Sequence, residues 1–248
     1  MPSQQLTSDQ TEHQIDMDTM RMEIFFSPLA CSMASRITLY EAGATATFIQ
    51  VDARAKRTSS GLDYHTINPL GLVPALRLPS GELLLENAAI LQFLADLHPD
   101  AALVPRAGFE RSVLQQWLSF IGTELHKALF IPLFDKTQSE AAREKTLMAG
   151  AKRLALLQAH LAQRKFLLDA WSVADAYLTT VAQLARHHGH RPCALAGGAG
   201  LLRGHVRAAC HREGDGRGAP VALRECERNI DAGGRSADVH TRSPGAFR

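Results

Sequence analysis

The chain has 248 residues, 46% of them hydrophobic and 21% charged, the composition of a globular protein rather than a fibrous or disordered one. Its formal charge of +2 is unevenly placed: residues 186–248 carry 11 Lys and Arg against 6 Asp and Glu, and the preceding residues carry 16 against 19. Nothing before residue 186 interleaves basic and aromatic side chains, so no nucleic-acid partner is expected. No apolar window reaches the roughly 20 residues that span a bilayer, and the start lacks a signal-peptide layout. A cytoplasmic chain with no membrane partner is expected, in which four cysteines do not argue for a disulfide framework.

Residues 1–20 are polar, with little to bury, and are expected to form a disordered lead, with Met17, Met20 and Met22 each a possible start. The stretch 21–101 reads as an α/β domain. A strand at Met22 to Phe26, a helix at Ser32 to Ala42 and a strand at Thr47 to Val51 make a β-α-β unit. A polar stretch that could hold a further helix follows. Ala75 to Leu78 and Leu83 to Leu85 then form a hairpin around Pro79-Ser80-Gly81. Ile90, Phe93, Leu94 and Leu97 mark one face of a closing helix, with Pro99 beyond its end.

Residues 106–185 change to long helical periods, Val113, Trp117, Phe120 and Ile121, then Leu147, Ala151, Leu154, Leu157 and Leu161. Ser172-Val173-Ala174-Asp175 fits a capping box opening a last helix. Residues 186–248 hold 11 Gly, 11 Arg, 10 Ala and 6 His, without Lys, Trp or Tyr. That composition offers no sustained apolar face, so a poorly ordered tail and an incomplete helical domain are expected. Out-of-frame reading of a GC-rich gene would produce such a composition.

Three places carry chemistry. Cys31, in SPLACS, stands after a strand and at the first turn of a helix, where unpaired N–H groups and the helix dipole favour thiolate; it could equally be a packed apolar residue. In NPLGLVPAL, a cis Val73–Pro74 step would leave the Val73 backbone facing a groove, unless it is a plain turn into the strand. In LLLENAAI, Glu86 and Asn87 open a helix where a carboxylate ligand could be held, or where they merely cap it.

From Met22 to about Val181, the segments SPLACS, DARAKRTSSG, NPLGLVPAL, LLLENAAI, WLSFIGTELHK and SVADAYL, in that order, closely resemble the bacterial beta-class glutathione transferases. The resemblance implies an α/β N-terminal thioredoxin-like domain plus an all-α C-terminal domain, assembled as a homodimer. It implies glutathione as co-substrate, no cofactor, and an electrophilic or disulfide second substrate. By position, Cys31 would contact or disulfide-link the glutathione sulfur, Val73 would pair with the tripeptide backbone, Glu86 and Asn87 with its γ-glutamyl end, and Lys56 with its glycyl carboxylate. Thr123, Glu124 and His126 would reach the site across the dimer or domain boundary, His126 as a second catalytic residue. Ser119 stands where the family commonly has asparagine, so one polar contact is shortened or lost.

No metal site is expected. Cys193, Cys210 and Cys226 lie near several histidines, but without the close ligand pairs that zinc sites use. Two other readings compete with an enzyme that conjugates glutathione or exchanges disulfides. One is a non-catalytic binding module on the same fold, against which Cys31, Glu86 and Asn87 argue. The other is a frame-shifted product of impaired activity, for which reading the gene in its other frames beyond Val181 is the discriminating observation.

Overall fold

A computed structural model describes residues 22–187; the expectations for residues 1–20 and for the segment beyond 187, its three cysteines included, lie outside them. Strand β1 (Glu23–Phe26) alternates its side chains between two cores. Ile24 packs with Leu39, Leu76, Ile90 and Leu94 on one face of the sheet. Phe25 packs with Val51, Tyr64 and Ala75 on the other. This is the period of two that places successive strand residues on opposite faces.

Strand β2 (Thr47–Asp52) runs parallel to β1, with Glu23 opposite Thr47. Parallel neighbours need a crossover over a sheet face, and α1 (Met33–Glu41) supplies it, burying Ala34, Ile37 and Leu39. The polar stretch after β2 holds no α-helix. Asp52 accepts hydrogen bonds from the N–H groups of Arg54 and Ala55, both at 2.8 Å, which folds the chain back so that β3 (Arg57–Thr58) pairs antiparallel with β2. A single 3-10 turn follows at Tyr64–Thr66, capped by the Asp63 side chain. The stretch has too few apolar residues to bury a longer helix.

Strands β4 (Ala75–Arg77) and β5 (Leu83–Leu85) form the expected hairpin, β4 lying antiparallel to β1. Gly81 in their turn has φ +96°, a conformation that glycine enters without strain. The sheet order is β3-β2-β1-β4-β5. Helix α2 (Asn87–Leu97) buries Asn87, Ile90, Leu91, Leu94 and Ala95. The buried stripe is therefore shifted from the expected one: Leu91 enters the core at 0% exposure and Leu97 stays 47% exposed.

The second part is helical throughout. Helix α3 (Gly108–Phe120) continues without a break into a π-helical segment, Ile121–Phe130, and then into α4 (Ile131–Phe134). Its apolar side meets that of α5 (Glu140–Leu161), where Leu154, Leu157 and Leu161 are buried. Helix α6 (Val173–His187) is buried from Val173 to Ala182. It touches α1 and α2 of the sheet domain as well as α3 and the π segment, so it joins the two halves.

The start of α6 is the capping box read from the sequence. Asp175, 0% exposed, accepts from the Ser172 N–H and Oγ, both at 2.9 Å, and from the Leu167 N–H at 2.9 Å. One carboxylate thus satisfies a helix start and anchors the preceding loop. Among the described residues no helix is long and apolar enough to cross a membrane. Among the same residues no group of three or more His, Cys, Asp or Glu is placed to hold a metal ion.

Candidate active site

The turn between β1 and α1 is tied down before it delivers its cysteine. Ser27 Oγ donates to the Val51 carbonyl at 2.6 Å, and the Ser27 N–H donates to Ser32 Oγ at 3.2 Å. Cys31 follows, half-buried and a free thiol among the described residues, with its carbonyl accepting from the Ala34 N–H at 3.1 Å. Its Sγ donates to the Val73 carbonyl at 3.3 Å.

The segment carrying Val73 is held carbonyl by carbonyl. Lys56 Nζ donates to the Gly71 carbonyl at 2.9 Å. The Tyr64 hydroxyl and Asn68 Nδ2 both donate to the Leu72 carbonyl, at 2.9 and 2.7 Å. The Val73–Pro74 peptide is cis, as expected from the sequence. Gly71 has φ +61° and packs so close to the His65 ring that a side chain there would collide with it.

Burial pushes the Cys31 thiol up to about 11. The Lys127 ammonium and the N–H groups of Cys31 and Ser32 act in the opposite direction, and the Glu86 carboxylate adds to the rise. Cys31 stands before the cap residue Ser32 rather than in the first turn of α1, and the N–H groups that favour thiolate are outweighed. Loss of hydration costs the anion more than the helix start and one lysine return to it.

Glu86 and Asn87 do more than cap α2. Glu86 occupies the cap position, and its carbonyl accepts from the N–H groups of Ala89 and Ile90 at 3.1 and 3.0 Å, but its side chain makes no capping bond. Its φ of +67° and ψ of 121° are a conformation that costs a non-glycine residue about 1–3 kcal/mol. The strain aims a carboxylate that the helix does not use. Asn87 is buried within the first turn; its Oδ1 accepts from Ser35 Oγ at 3.3 Å, while its Nδ2 has no hydrogen-bond partner.

His126, on the π segment, is buried, and its Nδ1 lies 3.3 Å from the Tyr177 hydroxyl of α6. Burial first, and the Lys127 charge second, push its imidazole down to about 4. The ring is therefore neutral at physiological pH. The Tyr177 phenol is pushed well above its ordinary range, mainly by burial and then by the Cys31 and Glu86 charges, with the Asn87 side chain opposing. These interactions bring Cys31, Val73, Glu86, Asn87, His126, Lys127 and Tyr177 into one neighbourhood where the two domains meet.

The remaining expected residues stand apart from it. Lys56 is engaged at the Gly71 carbonyl, on the near side of the Val73 segment. Ser119 and Thr123 are exposed, and Thr123 Oγ1 donates to the Ser119 carbonyl at 2.9 Å. Glu124 turns to α5, where it pairs with Arg153 Nε at 2.5 Å. Lys127 and Tyr177 were not singled out from the sequence. Both lie inside segments that carried the resemblance, ELHK and SVADAYL, but nothing in their spacing says that they face a cysteine about a hundred residues or more away.

The comparisons with known proteins give the family. Residues 30–97 match the family model described as the glutathione S-transferase N-terminal domain. The chain is 41% identical over 166 residues to the glutathione S-transferase GstA of Escherichia coli O157:H7, covering 66% of this chain and 82% of that one. The bacterial beta-class glutathione S-transferase of Sphingomonas chungbukensis is 40% identical, with a TM-score of 0.67 over 77% of this chain and 98% of that one. A sphingomonad glutathione S-transferase complexed with glutathione is 35% identical, with a TM-score of 0.69 over 86% of this chain and 100% of its own. The chain belongs to the glutathione S-transferase family, and among its solved members resembles those of the bacterial beta class.

Proposed function

We propose that the protein is a glutathione transferase that performs glutathione-dependent thiol–disulfide exchange through Cys31 and conjugates glutathione to electrophiles in the same cleft. The observation that carries this reading is the Cys31 Sγ placed on the Val73 carbonyl, beside the unused Glu86 carboxylate and the unpaired Asn87 amide. Val73 takes the peptide backbone of glutathione, and Glu86 and Asn87 take its γ-glutamyl end. Lys56 receives the glycyl carboxylate after releasing the Gly71 carbonyl. The neutral His126 serves as a hydrogen-bond donor to sulfur, since an imidazole held near pKa 4 is a poor base at neutral pH.

In exchange, the Cys31 thiolate attacks the glutathione sulfur of a mixed disulfide. A Cys31–glutathione disulfide forms, and the substrate leaves as a thiolate that takes up a proton from solvent. A second glutathione thiolate then attacks the glutathione sulfur of that disulfide, giving oxidised glutathione and restoring the Cys31 thiolate. In conjugation, the glutathione thiolate itself attacks the electrophile; on an aryl halide the C–S bond forms and the halide leaves as its bond to carbon breaks.

The enzyme works as a cytoplasmic homodimer in detoxification. The exposed Met148 and Leu156 support the dimer; they line a groove with Phe120, Glu124 and Arg153. Ser119, Thr123 and Glu124 lie on the same outer side and serve the site across the dimer boundary. The test is the purified chain against an aryl halide and a glutathione mixed disulfide. Cys31→Ala is expected to abolish exchange and to lower conjugation less. Equal loss of both assigns the cysteine to conjugation as well, and no loss of either returns Cys31 to a packing role.

A further inference from the structure

His126 lies between two domains, and a neutral imidazole with a free choice of tautomer would present a donor or an acceptor at random to whatever stands before it. The structure removes that choice at one nitrogen. Tyr177, 4% exposed, sets its hydroxyl 3.3 Å from His126 Nδ1, with the two rings edge to face at 6.2 Å between centroids. Gly122, one turn earlier on the π segment, faces the same hydroxyl, and a Cβ there would stand in ordinary contact with it.

The direction of the hydrogen bond follows from its neighbours. Among the described residues His126 Nδ1 is the one hydrogen-bond partner of the Tyr177 hydroxyl. The buried phenol proton therefore has Nδ1 as its acceptor. A proton on His126 Nδ1 would instead leave the buried phenol proton without an acceptor.

We propose that Tyr177 is a positioning residue for His126, donating to Nδ1 so that the imidazole proton stays on Nε2 and the ring keeps one orientation as a donor. This rests on the donor role given to His126 above. It follows the logic by which a third group, hydrogen-bonded to one ring nitrogen, fixes the tautomer of a reacting histidine. Tyr177 belongs to α6, which touches α1 and α2 as well as the π segment, so the phenol is carried by the helix that joins the two halves.

The experiment uses the full chain labelled with nitrogen-15 at histidine, the His126 signals being identified by their loss in His126→Asn. The wild-type spectrum is expected to show His126 as the Nε2–H tautomer, and Tyr177→Phe to show a mixture. Kinetically, Tyr177→Phe is expected to lower kcat at least about tenfold while the glutathione KM stays within about twofold. In a His126→Asn background the same change should lower kcat no further, since a residue acting through His126 has nothing left to act on. An Nδ1–H tautomer in the wild type overturns the proposal without any variant having to fold. So does a Tyr177→Phe loss of equal size in both backgrounds. An inactive wild-type chain would refute the functional reading above, while the tautomer would still decide the role of Tyr177.

Discussion

The Cys31 sulfur and the Val73 carbonyl oxygen are 3.3 Å apart, so the thiol just before the first helix and the backbone before β4 occupy one another. A peptide pairing with Val73 would displace the thiol from that carbonyl, and the thiol would then meet the incoming sulfur. Binding and ionisation are coupled here, because the free site holds Cys31 protonated.

Alkylation of Cys31 by iodoacetamide, followed on its own peptide by mass spectrometry, should accordingly be slow at neutral pH in the free enzyme. The rate should climb toward an apparent pKa of about 11. Lys127→Met should push the profile higher, because the ammonium lowers the thiol pKa; Glu86→Gln should move it lower, because the carboxylate raises it. A rate that levels off below pH 8 would show that the free site already stabilises thiolate.

Glu86 is strained by its φ of +67° and its side chain contributes nothing to capping its helix, which separates its cost from its use. Glu86→Ala and Glu86→Gly both remove the carboxylate and should weaken glutathione binding alike, by about 1–3 kcal/mol. Their stabilities should differ, because only glycine enters that conformation freely; Glu86→Gly should be the more stable by about 1 kcal/mol. Thermal denaturation and calorimetric titration with glutathione check the two halves. Equal stability of the two variants would remove the strain argument.

Asp175 shows how much of this was legible beforehand. The capping box, the β-α-β unit, the hairpin and the cysteine before α1 were all local patterns, readable because each element's own residues dictate them. The stripe of α2 was misplaced by a residue because Leu91 and Leu97 are equally apolar, and only packing against α1 and the sheet decides between them. The thiol's raised pKa and the Tyr177 contact were not legible. Both depend on α6 and the π segment closing over the sheet domain, a long-range fact that no window of sequence contains.

Asp175→Ala should leave the N–H groups of Leu167 and Ser172 buried and unpaired at once. Each such group costs about 1–3 kcal/mol, so this should be among the most damaging single changes in the helical domain. Asp175→Asn keeps one acceptor and should lose less. Urea denaturation orders the three proteins, and an alanine variant as stable as the wild type would show that solvent reaches the cap.

His126 titrates at about 4 in the folded chain and near 6.5 once unfolded. Above pH 6.5 both states hold the ring neutral, and the residue gives stability no dependence on pH. Between 6.5 and 4 the unfolded chain binds the proton and the folded one does not, so stability falls as pH is lowered through that window; below 4 both states are protonated and the slope vanishes. The loss attributable to this one ring is on the order of 3 kcal/mol at most, because each pKa unit is worth about 1.4 kcal/mol. In His126→Asn the slope of unfolding free energy against pH between 4 and 6.5 should be shallower by about one proton. An unchanged slope would mean that His126 is hydrated in solution, and the neutral-donor role assigned to it would fall with its burial.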